Sequence, residues 1–85
     1  MRKKLTLDSQ ATYQIVVQGY LEEHWSDWFD GMTLDPHVDP MGFSITTLTG
    51  SVTDQAALHG LLLKLYDLGM PLLSVNYVRP QPEQE

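Results

Sequence analysis

No cysteine occurs among the 85 residues, which excludes a disulfide framework and any thiolate metal site and suits a reducing, cytoplasmic setting. Cations are almost as scarce. Five Lys and Arg stand against eleven Asp and Glu, a formal net charge of -6. Arg2, Lys3, Lys4 and Arg79 lie near the ends, so Lys64 is the sole cation between Leu5 and Val78. Binding nucleic acid requires a basic footprint that displaces counterions from phosphate. The acidic body has none, which argues against nucleic acid and, by the same reasoning, against an anionic membrane surface. No apolar run is long enough to cross a bilayer, and the basic start Met-Arg-Lys-Lys is not followed by the apolar segment of a secretory signal. A glycine-rich phosphate loop and a nucleophile elbow are also missing. The expectation is a cytoplasmic chain without a cofactor, in which no residue is marked as catalytic.

Apolar residues make up 42% of the chain, sufficient for one core, although a domain of this size buries only about 60% of the surface its unfolded chain exposes. The strongest pattern runs from Asp54 to Val78. Leu58, Leu61, Leu62, Leu65 and Leu68 recur at the three- and four-residue steps of a single helix face. Thr53 or Asp54 can cap its start. Gly69 can end it in the left-handed conformation that an absent Cβ permits, with Met70-Pro71 following, and Leu72 to Val78 then reads as a strand.

Upstream, Thr12 to Leu21 alternates Tyr13, Ile15 and Val17 against Gln14, Val16 and Gln18, the period of a strand with one wetter face. Gly19 suits a bulge or a close approach. From Glu22 the spacing turns helical, and Leu21, Trp25, Trp28, Phe29 and Met32 fall on one side as an aromatic underside of the kind that usually packs in a core. Met32 to Asp35 and Phe43 to Ser51 read as two further strands, the second rich in β-branched residues. Between them Asp35 to Gly42, with two Asp-Pro pairs and a glycine, reads as a hairpin loop. The first 11 residues are expected to form a flexible tip, with room for an added strand at Leu5 to Leu7. Residues 12–78 are expected to form a single domain and 79–85 a disordered tail.

The order strand, short helix, strand, strand, long helix, strand predicts an α+β class: a ferredoxin-like βαββαβ two-layer sandwich with a four-stranded, mostly antiparallel sheet. About ten residues separate the first two strands, fewer than the dozen or so a crossover usually takes. The first helix must therefore be short or tilted.

Two sets of side chains are left over. His59, Leu63 and Tyr66 lie away from the leucine stripe, where they are either isolated exposed apolar residues or a subunit contact. His24 and Asp27, three apart, could share a face with His59 nearby as weak ligand or metal candidates, although a metal needs three or four converging ligands. Otherwise they are solvated helix residues.

The chain resembles a family of small prokaryotic proteins of unassigned function. The similarity rests on Tyr13-Gln14-Ile15, Gly19-Tyr20-Leu21, Trp25-Ser26-Asp27-Trp28-Phe29, Leu48-Thr49-Gly50, Asp54 to Leu61 and Leu68 to Asn76. The resemblance implies a single domain and no particular substrate. More distantly, Asp54, Leu58, Leu61, Leu65, Gly69 and Val75 look like the helix-turn-strand unit of ACT-type regulatory domains, and that resemblance implies a small-ligand sensor. The leading expectation is a non-catalytic interaction or regulatory module forming a homo-oligomer, or binding another protein. A ligand sensor and a metal-dependent enzyme are the alternatives.

Overall fold

A computed structural model describes residues 4–80. Four strands, β1 (Ala11–Gln18), β2 (Thr33–Val38), β3 (Ser44–Val52) and β4 (Leu72–Val78), form one sheet in the order β2-β3-β1-β4. All three pairings are antiparallel. A seven-residue 3₁₀ helix, η1 (Glu23–Phe29), links β1 to β2, and a thirteen-residue helix, α1 (Gln55–Asp67), links β3 to β4. The class is therefore α+β. Residues 1–3 of the expected tip (1–11) and residues 81–85 of the expected tail (79–85) lie outside the described residues.

Alternation along β1 buries Tyr13, Ile15 and Val17 beneath the helices and leaves Gln14 and Gln18 in water. Leu34 on β2, Thr46, Leu48 and Val52 on β3, and Leu58, Leu61 and Leu65 on α1 complete the core with Leu21, Phe29 and Met32. Among the described residues nothing packs on the opposite face of the sheet. At its centre lie Gln14, Val16, Thr47 and Thr49, a surface of amides and hydroxyls with few charges.

Asp54 is the helix cap: its Oδ1 accepts the Ala57 N–H at 2.8 Å. At the other end Gly69 (φ 77°) donates to Tyr66 C=O, and Met70 N–H reaches back to Leu65 C=O. This pair of bonds is a Schellman closure and satisfies carbonyls that the helix end would otherwise leave free. Replacing Asp54 by alanine should cost about 1 kcal/mol of stability, measured by urea denaturation.

Several expectations are corrected. β1 ends at Gln18, because Gly19 takes φ 124° and leaves the extended conformation. The helix after it is 3₁₀. At about three residues per turn, Phe29 stacks above Ser26, while Trp25 and Trp28 fall on a different line. Phe29 is fully buried, Trp25 half-buried, and Trp28 is 53% exposed. Leu68 is also exposed, since it is the cap residue beyond the last turn, and Met70 packs against the core instead.

β2 runs on through Asp35-Pro36-His37-Val38, so the hairpin loop shrinks to a turn held by Asp39. Its Oδ1 accepts the N–H groups of Met41 and Phe43, both at 2.9 Å. No strand forms at Leu5 to Leu7. Thr6 and Ser9 bond across a turn instead, and Leu7 C=O accepts the Gln55 N–H at the start of α1.

Candidate functional site

Helical geometry sets α1 over the sheet with Leu58, Leu61 and Leu65 inward. The steps from His59 to Leu63 to Tyr66 are four and three, so these side chains share one line. All three are exposed, Leu63 at 59% and Tyr66 at 77%. The structure thus brings the candidate contact residues together on one ridge. Lys64 lies on a different flank, where its Nζ donates to Trp28 C=O at 2.8 Å and sits 5.2 Å from the centroid of the Trp28 ring. That cation-π contact ties α1 to η1 and engages the only cation of the body.

His24, Asp27 and His59 are all exposed. His24 Nδ1 lies 3.5 Å from Glu22 Oε1, and its ring packs beside Trp25. Among the described residues no group of three His, Asp or Glu side chains is placed to hold a metal ion. No helix among them is long and apolar enough to cross a membrane.

The two edges of the sheet differ in their backbone chemistry. Gly19 N–H donates to Ser44 C=O and Gln18 N–H to Pro71 C=O. Antiparallel ladders alternate the side to which successive residues bond. Odd-numbered residues of β1 therefore bond β3, and even-numbered ones bond β4. Across β4, Ser74, Asn76 and Val78 face β1, which turns the N–H and C=O groups of Val75 and Tyr77 to the outer edge.

On the other side, Asp39 N–H bonds Phe43 C=O, which continues the odd-numbered ladder of β2. Leu34, Pro36 and Val38 thus face outward there. Pro36 has no N–H to offer, and Asp35 and His37 flank it, so this edge is blunted in the manner of natural edge strands. β4 carries no charged side chain and no proline. Its edge is open.

Thr46 is not among the expected site residues, yet among the described residues it is the one fully buried polar side chain. Its hydroxyl donates to Gly19 C=O at 2.8 Å and accepts the Leu21 N–H at 3.0 Å, fixing the bend between β1 and η1. The signal in the sequence was its place in the inward period of β3, two before Leu48. Gln55 Nε2 similarly donates to the Tyr13 hydroxyl. This contact ties the first turn of α1 to β1.

A family model described as a domain of unknown function (DUF8691) matches residues 12–76. No curated protein and no solved structure matches the chain.

Proposed function

We propose that this chain, which belongs to the family described as a domain of unknown function (DUF8691), is a non-catalytic interaction module that associates with itself. The observation carrying the reading is the ridge of Leu63 and Tyr66 on α1, two large apolar side chains aligned and exposed at 59% and 77%. A helix with a single partner ordinarily keeps that side polar. The ridge adjoins half-buried Leu62, so the apolar surface continues from the core to the outside.

A ferredoxin-like architecture belongs to the same proposal. Its supports are the order β4-β1-β3-β2 when counted from the open edge, the antiparallel pairings, and a helix in each crossover. The cytoplasm is the proposed compartment, in keeping with a chain free of cysteine.

Size exclusion with light scattering at tens of micromolar, a range that captures association of ordinary affinity, should find a dimer or larger species. Changing Leu63 and Tyr66 together to aspartate should weaken that association at least about tenfold, or about 1.4 kcal/mol. An unmodified chain that stays at 9.7 kDa across this range would remove the reading.

A further inference from the structure

We infer that the partner is a second copy of this chain, joined β4 to β4 about a two-fold axis so that the sheet of one molecule continues into the other. The inference rests on the self-association proposed above and supplies its geometry. Val75 and Tyr77 present unpaired ladder groups on a strand free of charged side chains, and another strand is the surface that satisfies such groups in full.

A second copy offers two edges. Its β2 edge is broken at Pro36 and flanked by Asp35, so a head-to-tail contact of β4 with β2 would lose a bond and bring a carboxylate to the seam. β4 against β4 meets neither obstacle. It is also self-complementary, so the assembly closes as a dimer and does not extend into a fibre.

The register follows from the irregularity between Val16 and Val17, which leaves Ser74 to Val78 as the regular part of β4. Pairing Val75 with Tyr77 of the partner subunit, and the reverse, satisfies all the outward groups of these two residues. Asn76 then meets its own copy at the axis in a non-hydrogen-bonded pair, where Cα atoms lie about 4.5 Å apart.

Tyr66 of the α1 ridge is compatible with this arrangement, while Leu63, two residues before inward Leu65, points away from the sheet. Lys64 points to η1, which packs on β2, at the far side of the sheet. About 100° per residue around a helix then puts Leu62 and Tyr66 on the flank of α1 that faces the β4 edge, so the two long helices run side by side over the joined sheet.

The absence of cysteine makes a single introduced thiol decisive. Asn76→Cys should form a covalent species of twice 9.7 kDa under mild oxidation, since a disulfide tolerates Cα separations of about 4.4–6.8 Å. His37→Cys, on the same open face at the blunted edge, should remain uncrosslinked over the same interval. The amides of Val75 and Tyr77 should be protected from hydrogen exchange in concentrated protein and lose that protection on dilution.

Val75→Pro copies onto β4 the device that Pro36 provides on β2 and leaves the bonds to β1 intact. It should yield a monomer with unchanged far-UV circular dichroism. If Val75→Pro does not fold, the crosslink and the exchange measurement still decide. A dimer by light scattering whose Asn76→Cys variant fails to crosslink, with Val75 and Tyr77 amides exchanging freely, overturns the β4 geometry and leaves self-association standing. A monomer throughout overturns both.

Discussion

Replacing Phe29 by alanine should remove about 3–5 kcal/mol of stability, the usual cost of deleting a fully buried aromatic ring and leaving a cavity behind. Phe29 has no exposed surface and is the sole buried residue of η1, a 3₁₀ turn whose own hydrogen bonds are too few to hold it in place. A domain of this length has roughly 4–13 kcal/mol to lose, at about 0.05–0.15 kcal/mol per residue. The variant should therefore melt far below the parent or be partly unfolded at room temperature. Both tryptophans, Trp25 and Trp28, lie in η1, so their fluorescence follows this element directly. Urea titrations read by fluorescence and by circular dichroism should shift together. Phe29→Leu, closer in volume, should cost less than about 1.5 kcal/mol. If alanine were tolerated within about 1 kcal/mol, well below the cavity range, η1 would not be anchored as described.

Thr46→Val should destabilise by about 2–3 kcal/mol although it keeps the shape and adds apolar character, because it orphans a buried donor and a less buried acceptor at about 1–3 kcal/mol each. The groups concerned are Leu21 N–H and Gly19 C=O, both on the segment that turns the chain out of β1. Thr46→Ser keeps the hydroxyl and loses one methyl, worth about 0.8 kcal/mol. The ordering is the test. Valine worse than serine in urea denaturation shows that the two hydrogen bonds dominate, whereas serine worse than valine would mean that Thr46 acts through packing alone.

Much of the fold was legible in the residues. Tyr13, Ile15 and Val17 needed only the strand period, Leu58, Leu61 and Leu65 only the helix period, and Asp54 and Gly69 only the chemistry of helix ends. What escaped depended on the partner of each segment. Pro36 reads as a turn former in any single sequence, and it joins a strand here because its nitrogen faces the one side of β2 that has no neighbour. A period of about 3.6 residues per turn places Trp28 inward, and the tighter winding of η1 turns it outward. Of the candidate site, the alignment of His59, Leu63 and Tyr66 followed from spacing. The openness of the β4 edge did not, since the outward residues are known only once β1 is seen to lie between β3 and β4.

That placement of β1 also governs when the sheet can form. The strand made first occupies the interior of the sheet, and its two neighbours arrive late: Ala11 pairs with Val52 and Thr12 with Val78. Contacts so distant along the chain require loop closure before they return any stabilisation, which places such topologies among the slower folders. During synthesis the apolar face of β1 must wait for α1, and its second edge stays unpaired until Val78 has been added. The four-stranded sheet can therefore close only once β4 has been made.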